Sequence, residues 1–460
     1  MRLTILGGGG FRVPLVFGAL LGDERTAGIT EVVLHDTDPH RLQVIVAVLA
    51  QQTEEHRRQR GDAAAVAVRT EPDLAAAVRD ADFVFAAVRV GGLHGRTVDE
   101  RVALRHGVLG QETVGAGGIA YGLRTVPILT GIAQLVARLA PRAWFINFTN
   151  PAGLVTEAMR PYLGDRVIGI CDSPSGLVRR AARAAGLDPA LAGYDYVGLN
   201  HLGWLRSLLD QGRDVLPALL ADDAALAGFE EGQLFGPSWL RALGSIPNEY
   251  LHYFYFRRET VAAASAGPTR GEFLTEQQSA FFLGAELTDA LDRWRAVRVD
   301  RDATYLADSR SLAAGGVLHG APSGVLDRDP DELAAGGYEQ VAVRLIRALS
   351  GEEPALLILN VANGVTLAAL DPAAVIEVGC TVDTSGAHPV PVAPLTDHQA
   401  GLICTVKAVE RCVIRAAATG SALDALAAFA LHPLVDSVSV ATRLLADYRA
   451  SLPELGYLTD

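Results

Sequence analysis

The sequence predicts an α/β protein, with an N-terminal Rossmann-type, doubly wound parallel sheet followed by a C-terminal α+β lobe. Three observations carry this expectation. A four-glycine turn, Gly7-Gly8-Gly9-Gly10, separates a buried-strand pattern at residues 3–6 from a helix pattern at 14–21. Short apolar runs then alternate with helical segments as far as about residue 195. Beyond that point the alternation gives way to a hairpin and several long helices.

Each element has its own reason. Pro14 falls in the first turn of the first helix, where its missing N–H has no helical partner to lose. Residues 31–34 then complete a βαβ unit. Further strands are expected at 66–68, 83–88, 144–146 and 167–170, and helices at 42–57, 74–78 and 128–139, so crossover helices join parallel strands. Residues 198–204 lead into 205–209, with Gln211-Gly212 as the turn toward Val215. Helices are expected at 276–291, 331–349, 397–418 and 434–448, and strands at 356–359 and 375–378. Residues 315–324 and 327–330 are expected to be a flexible connection.

Half of the 460 residues are hydrophobic, enough for a large core. The net charge of −13 repels phosphate backbones and anionic lipid, so neither nucleic acid nor a membrane is an expected partner. An anionic substrate therefore needs a local arginine pocket. Cys171, Cys380, Cys404 and Cys412 are too sparse for a disulfide framework, and the chain starts in a strand pattern instead of a targeting segment. A cytoplasmic location is expected. Lys407, the only lysine, lies in a helical pattern, which removes most Schiff-base chemistry.

The glycine turn lets backbone approach a pyrophosphate and aims a helix N-terminus at it. Arg12 stands where the third glycine of G-x-G-x-x-G would be. Asp36, at the end of the second strand, suits a ribose 2′-OH and disfavours a 2′-phosphate. Together Gly7, Gly8, Gly9, Gly10 and Asp36 point to NAD. A tight turn without a ligand, with Asp36 as a helix cap, is the alternative.

Cys171 ends one strand pattern and His201 follows another, so both reach the cleft where open α/β sheets bind ligands. A thiolate and an imidazole suit a transition metal, and two protein ligands leave positions open for substrate oxygens. Asn147, Asn150, Asp172 and Asn200 lie beside them in sequence. Tyr250, Tyr253 and Tyr255 form an aromatic cluster in which one phenol can serve as a base near a metal and a guanidinium. Arg89, Arg96 and Arg270 sit in glycine-containing segments as anion-binding candidates, with Glu112 a polar group in the same cleft. The plain alternatives are core packing for the cysteine, histidine and rings, solvated arginines, and a capping glutamate.

Taken as a set, these motifs resemble glycoside hydrolase family four, the NAD- and divalent-metal-dependent glycosidases, over essentially the whole chain. The residues that carry the resemblance are the glycine start with Pro14, Arg89-Val90-Gly91-Gly92, Gly110-Gln111-Glu112-Thr113, 147–151 with Thr156, Gly169-Ile170-Cys171, Gly198-Leu199-Asn200-His201, 247–255 and 360–364. The pattern is most similar to the 6-phospho-β-glucosidase members.

The resemblance implies a mechanism outside the usual carboxylate pair. NAD takes hydride from C3 of the sugar, and the ketone is polarised by a divalent metal, Mn²⁺, on Cys171 and His201. Tyr250 removes the C2 proton, the aglycone leaves C1, water adds, and the hydride returns. Asn147, Asn150 and Asn200 are implied sugar contacts. Arg89, Arg96 and Arg270 are implied substrate contacts, the last two for a 6-phosphate. Asp172 and Glu112 are implied to assist proton transfer near C1 or to orient metal-bound oxygens. The division implied is an NAD-binding domain at 1–195 and a substrate-binding and oligomerisation domain at 196–460, in a homodimer or homotetramer.

Two positions depart from the family pattern. Gly10-Phe11-Arg12 stands where members have serine after three glycines, and Asp172 matches the α-specific pattern. Open alternatives are a relative acting on α-linked or unphosphorylated glycosides or glycuronides, a 2-hydroxy-acid dehydrogenase of the lactate/malate type, and a catalytically silent NAD-binding regulator.

Overall fold

A computed structural model describes residues 1–23, 26–60, 66–284, 287–304 and 337–460. The expected connection at 315–324 and 327–330 lies outside them. Six parallel strands open the fold: β1 (Arg2–Leu6), β2 (Glu31–His35), β3 (Ala67–Thr70), β4 (Phe83–Ala86), β5 (Trp144–Asn147) and β6 (Val167–Gly169). Their spatial order is β3-β2-β1-β4-β5-β6. The order reverses between β1 and β4, the crevice where doubly wound sheets bind ligands.

The sheet does not stop at β6. Strands β7 (Gly193–Leu199), β8 (Leu202–Asp210), β9 (Arg213–Asp214), β10 (Ile246–Pro247), β11 (Ala355–Ala362), β12 (Val375–Asp383) and β13 (Gly386–Pro389) extend it in antiparallel pairs. The order continues β6-β11-β12-β7-β8-β10, with β13 on β12 and β9 on β8. Position 195 falls inside β7, so one sheet crosses it.

Alternate residues of the parallel strands face opposite cores, as a period of two requires. Leu3, Ile5, Phe83, Phe85 and Ile146 pack on one face with α1 (Val13–Gly22), α2 (Pro39–Arg60) and α7 (Ser173–Ala184). Leu6, Val84, Ala86 and Phe145 pack on the other with α5 (Gly115–Leu139) and α6 (Ala152–Leu163). Phe85 is 1% exposed, so truncation to alanine is expected to cost about 3–5 kcal/mol. Two further helices, α3 (Leu74–Val78) and α4 (Gly92–Arg105), complete this half.

Of the helix expected at 331–349, residues 331–336 lie outside the described residues, which carry it as Tyr338–Leu349, and other helices differ from expectation. Helix α5 starts thirteen residues before the predicted position, at Gly115. Its first turns carry Gly117 and Gly118, whose added Cβ atoms would lie 2.1 Å from Gln111 O and 2.4 Å from Thr113 O. Packing against the preceding loop there outweighs the low helix propensity of glycine. The expected helix at 276–291 is two, Arg270–Leu283 and Ala290–Ala303, the first opened by a Thr269/Glu272 capping box. The last begins at Val438 instead of 434, after Ser437 caps its first turn. Helix α5 is apolar and long enough to cross a membrane, yet 67% of its most apolar window is buried in the protein, as in a core helix.

Candidate active site

The carboxyl ends of the parallel strands open into a cleft of about 1250 Å³. Gly7 and Gly10 reach it from β1, Arg89 from β4, Asn150 from β5 and Cys171 from β6. His201 enters from the β7–β8 hairpin, and Tyr250, Arg270, Arg301 and Tyr338 close the far wall.

The glycine turn is a crowded cradle. Gly7 has φ +82°, and a Cβ on it would lie 2.6 Å from Ala87 O. Gly8 and Gly9 instead allow β1 to meet β2 and α2, since their Cβ atoms would approach Leu34 Cβ at 2.9 Å and Arg41 Cβ at 3.0 Å. Asp36 is fastened to this turn: Oδ2 accepts from Gly9 N at 2.8 Å and Oδ1 from Asp38 N at 2.9 Å. A bare cradle with an acid at the β2 end fits the pyrophosphate and ribose of NAD.

Cys171 and His201 meet, with Sγ 3.6 Å from Nε2. A sulfur and a nitrogen bound at about 2.3 and about 2.1 Å are separated by this much across one ion at a near-tetrahedral angle. The hydrogen-bond chain behind His201 sets its tautomer. Gln111 Oε1 accepts from the backbone of Thr113 and Val114 at 2.6 and 2.8 Å, and from the Thr113 hydroxyl at 3.0 Å. With its proton given to Gln111, Thr113 Oγ1 accepts from His201 Nδ1, 3.0 Å away. Nε2 is left with a lone pair facing the thiol, the arrangement a metal-binding imidazole needs.

Burial holds the His201 ring neutral, lowering its pKa to about 4. Burial, then Glu377 and Asp172, push the Cys171 thiol up. His201 occupies the two-residue hairpin turn with φ +62°, a left-handed conformation that histidine tolerates. Among the described residues no cluster of three or more His, Cys, Asp or Glu forms a closed metal site. The pair therefore fits a metal that keeps open positions.

Tyr250 lies flat on His201, ring centroids 3.7 Å apart. Asn248 fixes the short turn that carries it, accepting from Tyr250 N at 3.1 Å. Tyr253 lines the same cleft, whereas Tyr255 packs behind it, accepting from Trp204 Nε1 at 3.0 Å.

Asn147 and Asn200, two of the expected sugar contacts, do not line the cleft. Asn147 is fully buried, and its amide is taken by Thr149, Ala152 and Thr156, so it builds the strand-to-helix turn. Asn200 accepts from Ala152 N at 3.1 Å and donates to Glu377 at 3.1 Å, so it holds the His201 hairpin in place. Asn150 alone of the three lines the cleft. Glu377, missed from sequence, also accepts from Tyr196 at 3.1 Å and Asn360 at 2.9 Å. Burial raises its pKa to about 7. Its only sequence signal is an acid set between the apolar residues Ile376 and Val378.

Glu112 forms ion pairs with Arg89 at 2.7 Å and Arg96 at 3.0 Å. Despite burial, these cations bring its pKa down to about 2. A carboxylate held that firmly in its ionised form can accept a proton near neutral pH but not donate one. Its chemistry is to fix two guanidinium groups. Arg96 is held further by Glu100 at 2.9 Å. Arg270, in the first turn of its helix, donates to Thr304 Oγ1 at 2.6 Å and Arg301 O at 2.9 Å. Asp172 starts α7 at the cleft without bonding its own helix N-terminus.

The chain is similar to known proteins over nearly its whole length. Residues 2–187 match the family model described as family 4 glycosyl hydrolase, and 196–435 match its C-terminal domain. A probable 6-phospho-beta-glucosidase of Bacillus subtilis is 31% identical over 394 residues, 83% of this chain and 82% of the relative. The 6-phospho-beta glucosidase of Thermotoga maritima, solved with manganese, NAD⁺ and glucose-6-phosphate, superposes with a TM-score of 0.79 at 26% identity, covering 99% of both chains. A 6-phospho-alpha-glucosidase from gut microorganisms, with NAD and glucose-6-phosphate, gives 0.80 at 26% identity, covering 100% of this chain and 99% of that one. Similarity thus extends to members of both anomeric names, and the family's two models match in order along this sequence: the protein belongs to glycosyl hydrolase family 4.

Proposed function

We propose that this enzyme hydrolyses 6-phosphorylated glucosides, β-linked ones first, by the redox elimination that the family resemblance implies. The observation that carries the reading is the convergence of the glycine cradle, the Cys171–His201 pair and the Arg89–Arg96–Arg270 wall in one cleft. NAD, when bound, supplies a reversible hydride acceptor for C3, and a divalent ion, Mn²⁺ by analogy with the relatives, supplies a Lewis acid that acidifies C2.

The chain's own residues do the remaining work. Cys171 and His201 would hold the ion. Tyr250, stacked against His201, would take the C2 proton. Asn150 would contact sugar hydroxyls, and Asp172 would move a proton near C1. Arg96 and Arg270 would bind the 6-phosphate, with Arg89 and Glu112 fixing that wall. Residues 1–195 would carry the cofactor, and 196–460 most substrate and oligomer contacts. A cytoplasmic homodimer or homotetramer belongs to the same reading.

A second reading, α-linked substrates, is favoured by Asp172 directly after Cys171 and by the relatives named for that linkage. Nitrophenyl glucosides of both anomers, each with and without the 6-phosphate, test the two readings. Turnover of the phosphorylated β-anomer over the α-anomer supports the first. The reverse order supports the second, and equal turnover without phosphate contradicts both.

A further inference from the structure

The arginine wall holds more positive charge than Arg96 and Arg270 supply. Arg301, on the last turn of the helix Ala290–Ala303, lines the cleft with its guanidinium 5.8 Å from the centre of the Phe11 ring. Phe11 is itself fixed: Trp294 Nε1 donates to its carbonyl at 2.8 Å, and Phe281 meets its ring edge-on at 5.5 Å. Arg12, the next residue, stands over the rings of Phe148 and Tyr338 at 5.6 and 5.3 Å. These two arginines occupy the segment where the family pattern has a serine and the helix end that faces it.

Aromatic faces fix guanidinium planes while leaving their N–H forks for hydrogen bonds. Arg301 has no carboxylate partner or hydrogen-bond acceptor for its side chain among the described residues. Burial, then Arg12, Arg270 and Arg96, disfavour its charge, and Glu112, already paired with Arg89 and Arg96, is a lesser counterweight. An arginine does not shed its proton in a protein, so the repulsion is relieved by an anion.

We propose that Arg301, supported by Arg12, completes a phosphate clamp with Arg270 and Arg96 and sets the preference for a sugar bearing a dianion over one bearing a carboxylate. This rests on the phosphorylated-glycoside reading above. A doubly charged phosphate answers the surplus of cations better than a singly charged uronate, and its three oxygens can meet several forks together.

The test is calorimetric titration of glucose 6-phosphate, glucuronate and glucose into NAD- and manganese-loaded enzyme, for wild type, Arg301→Leu and Arg301→Lys, with NAD affinity measured in parallel. Arg301→Leu should weaken glucose 6-phosphate about 10- to 100-fold, narrow its advantage over glucuronate, and leave glucose and NAD within about twofold. Arg301→Lys should recover part of the loss. Unchanged glucose 6-phosphate binding in Arg301→Leu, equal losses for glucose, or a loss confined to NAD would each overturn the proposal. The last result would assign Arg301 to the cofactor pyrophosphate. If wild type itself binds glucose 6-phosphate no better than glucose, the phosphorylated-substrate reading falls first. Melting curves check folding, and Arg301→Gln replaces the leucine variant if that one does not fold.

Discussion

The phenol ring of Tyr250 lies parallel to the imidazole of His201, with 3.7 Å between ring centres and 10° between planes. The proposed base and a proposed metal ligand are therefore one packed unit. Replacing Tyr250 by phenylalanine keeps that unit and removes only the proton acceptor. We expect kcat to fall about 10²- to 10⁴-fold, with manganese affinity unchanged. Equal losses of metal affinity and turnover would show that the hydroxyl serves the metal site instead.

Thr113 should matter without touching substrate. Its hydroxyl accepts from His201 Nδ1, so Thr113→Val frees the tautomer and ring orientation of the ligand. Manganese affinity, read by competition with a chelating dye, is expected to drop about 10- to 100-fold, the range for such supporting contacts. Cys171→Ser and His201→Ala should lose more, while their melting temperatures stay near wild type in metal-free buffer. Wild-type affinity in Thr113→Val would contradict the tautomer assignment.

Metal binding should depend on pH through Cys171. Burial, Glu377 and Asp172 raise its thiol pKa well above the ordinary 9.0, so the metal-free protein carries S–H at neutral pH. Binding as thiolate releases one proton, and affinity is expected to rise about tenfold per pH unit from about pH 5 to about pH 9. His201 adds no slope there, because its pKa is lowered to about 4 and the ring is already neutral. Cys171→Ser should flatten the slope. A flat wild-type profile would place the metal elsewhere.

Arg270→Ala should raise KM for a 6-phosphorylated substrate more than for its unphosphorylated analogue. The lost charge-assisted contact is worth about 1.5–3 kcal/mol. Equal changes for both substrates would move the phosphate site away from Arg270.

The parallel half of the fold was legible because its strands are short apolar runs between glycine and proline punctuation, and register follows from that pattern. The switch to antiparallel strands showed only as a hairpin turn at Gln211-Gly212. That β11 and β12 join β6 to β7 depends on contacts between residues more than 150 positions apart, such as Asn360 opposite Gly169, which no local pattern encodes. At the site, cysteine, histidine and tyrosine were visible as residue types beside strand ends. Asn147 and Asn200 looked like ligands because sequence shows an amide but not what it bonds. Glu377 and Thr113 were missed because a supporting residue acts through geometry, and a lone acid or threonine has no spacing to announce it. Arg301 was one arginine among many until the fold set it opposite Arg12.

The central claim is that Tyr250 takes a proton from C2 while C3 is transiently oxidised. The most direct measurement is turnover of the phosphorylated glucoside in D₂O, with the product trapped before isomerisation and C2 read by NMR. Deuterium at C2 of the released sugar, lost together with turnover in Tyr250→Phe, is the expected result. Full hydrolysis with hydrogen retained at C2 would contradict it and return the reaction to a pair of carboxylates.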